Sequence, residues 1–300
     1  QTKTGRPRLV SAWEVPAISA STEKPLPKPA WLRRPLPRAG IMPGMELGLR
    51  QRRLNTICEQ GCCPNLGECF GRGVATFLIS GSVCTRNCAF CAVGHGRTKP
   101  LDPDEPRRVA DEVACLGLRF VVVTSVTRDD LADGGASHFA ATIRAIGRQC
   151  PGVGVEVLIP DFQGSTQALA KVMQSAPEVL AHNIETVPRL YAEVRPQAEY
   201  LRSLQVLARA AAMSRGGVRI KSGLMLGLGE SREEVKQCLE DLRAAGATIL
   251  TLGQYLRPSR AHYPVARYVE PAVFREYEIL AKKMGFRSVA SGPFVRSSYL

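Results

Sequence analysis

Nowhere in the 300 residues is there a run of eighteen apolar side chains, so no membrane-crossing helix is expected. The N-terminus also lacks the basic-then-apolar layout of a secretion signal. It begins at Gln1 and not at Met, which leads us to expect preceding sequence, with any targeting segment it carried, outside this numbering. Aromatic residues are few, 6% of the chain with two tryptophans, and none is interleaved with a basic stripe. Acidic residues are the scarcer charge, 27 Asp and Glu against 40 Lys and Arg, for a net charge of +13. Such a surplus invites a nucleic-acid reading. However, nine Lys and Arg against three Asp and Glu fall within residues 1–50, which leaves the rest diffuse. With no RNA-binding motif, an acidic protein partner explains the charge equally well. Neither nucleic acid nor membrane is expected as a partner.

The ten cysteines also lack something: an even, spread framework of the kind that staples secreted domains. Three of them, Cys115, Cys150 and Cys238, are scattered through helix-like stretches and read as core filler. Cys62, beside Cys63, is ambiguous. Six form two compact triplets. Clustered thiols of this kind argue for metal in a reducing compartment, hence a cytoplasmic protein.

One triplet follows the apolar run Thr76–Ser80 in the loop Cys84-Thr85-Arg86-Asn87-Cys88-Ala89-Phe90-Cys91. Spacings of four and three are too tight for disulfides within the triplet and suit a soft metal centre, because one short loop can turn three sulfurs inward. A four-iron cube held by three thiolates keeps one iron open to a small chelating molecule. A zinc site with one ligand absent and buried free thiols are the plainer alternatives, although zinc motifs usually pair two C-x-x-C knuckles. The other triplet, Cys58, Cys63 and Cys69 in C-x4-C-x5-C spacing, stands just upstream. Alone it would also serve as a zinc loop.

The first of these loops, with an aromatic residue before its third cysteine, resembles the signature of the radical S-adenosylmethionine enzymes. The upstream triplet and the C-terminal Arg296-Ser297-Ser298-Tyr299 resemble the auxiliary-cluster motif and the R-S-S-Y motif of the lipoyl synthase family. The likeness runs from about Lys28 to Tyr299 and includes Lys28-Pro29-Ala30-Trp31-Leu32-Arg33, Pro188-Arg189-Leu190-Tyr191 and Val194-Arg195-Pro196. Departures from the family pattern are Thr127 for Asp, Gln197 for Gly and Phe70 for Trp, none at a cluster ligand. The chain stops at Leu300, where the family continues.

Residues 1–45 carry eight of the 21 prolines, and the stretch from Lys24 to Leu32 among them can be neither helix nor central strand. Residues 1–20 are expected to be loose, whereas Trp31 and Leu32 argue that residues 28–40 are pinned to the body. A helix is expected over 44–56. Short β-branched runs at 76–81, 119–125, 153–159, 179–184, 218–224 and 248–252 then alternate with helical patterns at 104–117, 135–148, 165–175, 198–213 and 231–245. Such alternation signals βαβ units on a parallel sheet. The fold class is therefore α/β. The resemblance implies a partial (β/α)6 barrel of the radical SAM type, with N- and C-terminal extensions closing its mouth. The expected organisation is a flexible tail over 1–27, an extension with the auxiliary-cluster loop over 28–73, the partial barrel over 74–285 and a C-terminal segment over 286–300.

In a parallel barrel the chemistry collects at the C-terminal strand ends, and all but the third here carry a polar cluster. Asn183 and Glu185, two apart, would share a side of an extended strand end and hydrogen-bond the ribose and amine of S-adenosylmethionine; a polar helix cap is the bland alternative. Arg195 suits the methionine carboxylate through its planar fork. Phe90 belongs to the same cofactor-binding set. His182 reads as supporting or structural, and neither His95 nor His138 has an evident partner. Gly227-Leu228-Gly229-Glu230 is either an anion-favouring helix start or a tight turn.

The resemblance implies two [4Fe-4S] clusters and S-adenosyl-L-methionine as cofactors. One cluster would be held by Cys84, Cys88 and Cys91, the other by Cys58, Cys63, Cys69 and Ser298. It further implies radical insertion of sulfur at carbons 6 and 8 of an octanoyl group on a carrier-protein lysine, with the auxiliary cluster as sulfur donor. Implied partners are octanoylated lipoyl carrier domains, either a 2-oxoacid dehydrogenase E2 subunit or the glycine-cleavage H protein, and an electron donor such as ferredoxin or flavodoxin. Arg86, Arg97 and Lys99, around the first loop, are candidates for meeting an acidic carrier. A related radical enzyme acting on RNA and a cluster-stabilised interaction protein remain as competing readings.

Overall fold

The computed structural model describes residues 26–33, 42–71, 76–214 and 217–298. The expected loose tail over 1–20, the second half of the pinned segment, the Phe70 side chain and Tyr299 lie outside the described residues.

Eight strands form one open sheet in sequential order. They are β1 (Asn55–Thr56), β2 (Thr76–Ile79), β3 (Phe120–Ser125), β4 (Gly154–Leu158), β5 (Val179–Ala181), β6 (Arg219–Leu226), β7 (Ile249–Gln254) and β8 (Ser288–Gly292). From β2 to β8 every pairing is parallel, whereas β1 lies antiparallel on β2. Between parallel neighbours run the helices α1 (Glu105–Cys115), α2 (Ala136–Gln149), α3 (Thr166–Met173), α4 (Tyr200–Ser214), α5 (Arg232–Ala244) and α6 (Pro271–Lys283). Parallel strands need such crossovers, and a sheet covered by helices reads as continuous apolar runs. Val121, Val122 and Val123 of β3 are all buried, as are Phe77, Leu78 and Ile79 of β2.

Each expected strand and helix is present within a few residues of its sequence-derived bounds. Four features differ. A seventh parallel strand, β8, extends the sheet, built from Ser288-Val289-Ala290-Ser291-Gly292 with no β-branched run to announce it. The helix expected over 44–56 stops at Gln51, because Asn55–Thr56 pair with β2 instead. Trp31 stands 40% exposed; the buried residue of its turn Ala30–Leu32 is Leu32. Cys115 is exposed, unlike the buried Cys150 and Cys238.

Among the described residues the first and last strands of the sheet do not pair, so the cylinder stays open. Low on its inner wall, Lys221 Nζ donates to both carboxylate oxygens of Glu156 at 2.8 and 2.9 Å, with each side chain only 2% exposed. Burial raises the Glu156 carboxyl despite Lys221 beside it. A buried pair of this kind contributes little net stability, but losing one partner is costly.

Candidate active site

The C-terminal ends of the strands surround a cavity of about 520 Å³. Its wall includes Cys84, Cys88, Phe90 and Cys91 from the loop after β2, together with Cys58, Cys62 and Cys63 from the upstream loop. Asn183, Glu185 and Arg195 line it from the β5 side, and Ser297 and Ser298 from the C-terminus. The structure thus brings the whole Cys84–Cys91 triplet, Cys58 and Cys63 of the upstream triplet, and Ser297 and Ser298 to one space. Cys69 is set back on the short helix Leu66–Gly71, where its N–H donates to Asn65 O at 2.9 Å. Asn65 Nδ2 in turn donates to Phe294 O at 2.7 Å, tying the upstream loop to the C-terminal segment.

The Cys84–Cys91 loop starts from a turn that the backbone does not adopt cheaply. Ser80 has φ 70, in the left-handed region. Its N–H donates to Glu105 Oε2 at 2.8 Å and its carbonyl accepts from Arg128 Nη1 at 3.1 Å. The buried His138, partnerless in the sequence, meets the same carboxylate at 2.6 Å. Beyond the turn, Cys84 Sγ accepts N–H groups of Arg86 at 3.4 Å and Thr127 at 3.3 Å. Arg86 itself corrects the sequence reading. It is only 6% exposed and its guanidinium is occupied by Asp129 and Asp161, at 2.7 and 2.6 Å, so it is no docking residue. Although burial opposes the charge, Arg86 holds the Asp161 carboxyl at about 2. Arg97 and Lys99 are exposed.

Burial dominates the thiols. It pushes Cys91 up to about 12 and Cys58 up to about 11, and it raises Cys88 as well. Such groups are neutral at pH 7 on their own and must lose a proton to bind metal. Among the described residues no three His, Cys, Asp or Glu gather closely enough for a single metal ion. A four-iron cube makes no such demand, since each thiolate takes a separate corner.

On the β5 side the strand ends at Ala181, so Asn183 and Glu185 do not share an extended strand as the spacing suggested. Glu185 has φ 62, and a left-handed residue there brings its Oε1 to accept from Asn183 Nδ2 at 3.0 Å. A non-glycine residue held this way is a strained feature common at functional sites. Burial raises the Glu185 carboxyl although Arg195 pulls it down. Arg195 Nη1 donates to Asn183 O, Ile184 O and the Tyr191 hydroxyl, at 3.1, 3.0 and 3.2 Å. Only part of its fork is therefore available. His182 Nδ1 donates to Ile159 O at 2.9 Å, and burial, reinforced by Arg195, lowers the ring to about 4. The neutral ring turns an acceptor, Nε2, to the wall.

Among the described residues, four buried polar atoms on this wall have no partner: Ser125 Oγ, His182 Nε2, Asn183 Oδ1 and Arg195 Nε. Buried polar groups are almost always bonded. Two acceptors, a hydroxyl and a charged donor left open in one cavity fit a polar ligand with hydroxyl, amine and carboxylate groups. The six thiols fit iron–sulfur clusters. By contrast, the Gly227–Glu230 turn is satisfied internally. The N–H groups of Gly227, Leu228 and Gly229 all donate to the Glu230 carboxylate, at 2.8, 2.9 and 3.1 Å, so the turn supplies its own anion. The C-terminal segment is a turn at Ser297–Ser298, and both serines border the cavity, so alternation along a strand does not choose between them. Sequence reasoning missed the loop after β7: His262 lies against Cys91 and Tyr263 against Ala89. Neither carries a motif of its own.

A mouth of parallel strands, with a three-thiol loop after the first of them and open polar atoms beside it, defines a class. The family model for the Radical SAM superfamily matches residues 78–242. Solved structures agree on the fold. Methylornithine synthase superposes with a TM-score of 0.52 at 14% identity, over 86% of this chain and 81% of its own. Streptococcus suis SuiB bound to S-adenosylmethionine gives 0.57 at 10% identity, over 75% and 54%.

Sequence relatives narrow the class. Lipoyl synthase of Thermus thermophilus is 55% identical over 274 residues, 91% of this chain and 84% of its own. That of Caldanaerobacter subterraneus is 53% identical over 272 residues, 91% and 95%. Lipoyl synthase of Methylococcus capsulatus is 54% identical over 276 residues, 92% and 85%. The chain belongs to the lipoyl synthase family of radical SAM proteins.

Proposed function

We propose that the protein inserts two sulfur atoms, at C6 and C8, into an octanoyl group amide-linked to a carrier lysine, giving the lipoyl group. The observation that carries this reading is the convergence of Cys84, Cys88 and Cys91 with Cys58, Cys63, Ser297 and Ser298 on one cavity with unpartnered polar walls. Cys84, Cys88 and Cys91 would hold one [4Fe-4S] cluster, and Cys58, Cys63, Cys69 and Ser298 a second. When bound, the clusters and S-adenosyl-L-methionine supply hydrogen-atom abstraction from unactivated carbon and the sulfur that is inserted.

The chain's own residues bind, orient and exclude water. Asn183 and Glu185 present an amide and a carboxylate for hydroxyl and amine groups. Arg195 offers Nε toward a carboxylate, and its position is fixed by the three acceptors on Nη1. Phe90, Leu158 and Leu224 give the wall its apolar share, as an alkyl chain requires. An alkoxide at Ser298 is a harder iron ligand than thiolate, suited to a cluster that must release iron.

The organisation we propose keeps a tail over 1–27, an auxiliary-cluster extension over 28–73, the partial barrel over 74–285 and a closing segment over 286–300. Partners would be octanoylated lipoyl domains of a 2-oxoacid dehydrogenase E2 subunit or H protein, and a ferredoxin or flavodoxin as reductant. The exposed Arg97 and Lys99 suit an acidic carrier. Clustered free thiols support a reducing cytoplasm as the compartment. Anaerobically reconstituted protein, given S-adenosylmethionine, reductant and an octanoyl-lysine peptide, should yield a product with two added sulfurs, as the dithiol while reductant is present and with two hydrogens fewer once oxidised to the cyclic disulfide. No mass change, from protein that does hold the clusters, would refute the proposal.

A further inference from the structure

The Cys84–Cys91 loop is fastened from outside at points that no cysteine supplies. The Asn87 N–H, one residue before Cys88, donates to Gln197 Oε1 at 2.8 Å. The Ala89 N–H donates to Val194 O at 3.0 Å, and Ala89 O accepts the Tyr263 N–H at 2.8 Å. His262 Nε2 lies 3.1 Å from Cys91 O, and a carbonyl can only accept, so the ring nitrogen is the donor. Ser259 Oγ fixes the other face of that ring, at 2.8 Å from Nδ1. Arg257 Nε donates to His262 O at 2.7 Å, and the Tyr255 hydroxyl to Tyr263 O at 2.7 Å, so the strap is braced back to the end of β7. The strap and the 193–197 segment also meet each other, because the Tyr263 hydroxyl donates to Glu193 Oε2 at 2.8 Å.

We propose that Gln197 and His262 are positioning residues for the Cys84–Cys91 loop, clamping its backbone at Asn87 and Cys91. Loop and cofactor wall then form one preorganised unit. The clamp matters because the same short segment that carries Gln197 and Val194 also carries Arg195, which lines the cavity. Moving the loop relative to that segment therefore changes the spacing between the thiols and the groups that face the small ligand. Catalytic geometry tolerates only fractions of an ångström of such drift. The two contacts are unequal. Gln197 is exposed, and water can take its place at an N–H. His262 is half-buried and held on both ring nitrogens, so nothing replaces it as readily.

The inference rests on the reading that these three cysteines hold a cluster, and its test keeps the two claims apart. Holoenzyme is reconstituted anaerobically as wild type, His262→Ala, His262→Gln, Gln197→Ala and Gln197→Glu. Gln at 262 keeps an amide N–H donor, and Glu at 197 keeps an acceptor. The readouts are S-adenosylmethionine affinity by calorimetry and the electron paramagnetic resonance spectrum of the reduced cluster. The spectra are taken in a background with Cys58, Cys63 and Cys69 replaced by Ala, so that one cluster is seen. His262→Ala should weaken binding about tenfold and Gln197→Ala about threefold, the range one lost hydrogen bond spans. The spectrum should shift in both alanine variants, and the Gln and Glu variants should recover affinity and spectrum. Wild-type affinity and an unchanged spectrum in the alanine variants would overturn the proposal. So would a loss that His262→Gln does not recover, because the ring would then act only as packing. A wild-type protein with no cluster in this loop would instead overturn the cluster assignment itself.

Discussion

The two cysteine loops border one cavity but are built differently. The Cys84–Cys91 loop is fastened to four strand ends: Thr127 and Asp129 after β3, Asp161 after β4, Val194 and Gln197 after β5, and His262 and Tyr263 after β7. Arg86 inside the loop is itself buried as one of the fasteners. Within the Cys58–Cys69 loop, Cys63 N donates to Cys58 O at 3.0 Å and Cys69 N to Asn65 O at 2.9 Å. The loop reaches across the chain through Asn65 to Phe294. A loop held from many directions suits a centre that must return unchanged after each cycle. A loop bonded within itself and to the Phe294 carbonyl would suit a centre that is taken apart in the reaction.

The sharpest way to break that contrast is Cys88→Ala. It should abolish S-adenosylmethionine cleavage while leaving the iron of the other triplet in place, as read by product chromatography and iron assay. Cleavage at the wild-type rate would remove the division of labour. Ser298→Ala acts from the opposite side. Cleavage and hydrogen abstraction should continue while lipoyl product falls well below wild type, with Ser297→Ala close to wild type. The reverse ranking of the two serines would move the ligand by one residue.

Stability should show the same asymmetry. Arg86→Met leaves Asp161 buried without its main partner, and the cost should be about 3 kcal/mol in urea unfolding. Arg202 Nη1, 3.6 Å from Asp161, offsets part of the loss. Asn65→Ala removes the bond from the Cys58–Cys69 loop to Phe294 O and should cost about 1 kcal/mol. Equal costs would mean that the loops are fastened alike. An effect of similar size follows from His182, whose folded value of about 4 lies below the ordinary 6.5. As pH falls below 6.5 the unfolded chain takes up a proton that the folded chain refuses, so stability declines until about pH 4. Between pH 7.5 and 5.5 the loss from this group should be about 1 kcal/mol. His182→Leu should flatten that slope, and an unchanged slope would assign it elsewhere.

Much of this was legible in the sequence, for identifiable reasons. Helices and strands of the parallel sheet have opposite periodicities, and buried parallel strands such as Val121-Val122-Val123 stand out as apolar runs. The cysteine triplets declared themselves because metal ligation needs particular atoms at short spacing. Strand β8 stayed hidden, since a single Val289 among small residues makes no β-branched run. Arg86 was misread because a charged residue in a loop looks exposed, and its partners Asp129 and Asp161 lie 43 and 75 residues away. The left-handed backbone of Glu185 and the clamp from Gln197 and His262 depend on tertiary neighbours, which no local pattern encodes.

The central claim, two clusters with separate seats, is tested most directly by counting iron and acid-labile sulfide. The proteins to compare are wild type, a variant with Cys84, Cys88 and Cys91 all replaced by Ala, and one with Cys58, Cys63 and Cys69 replaced. Two [4Fe-4S] clusters predict about eight of each per wild-type chain and about four in either variant. A variant that keeps the full complement, or one that loses all of it, would contradict the account.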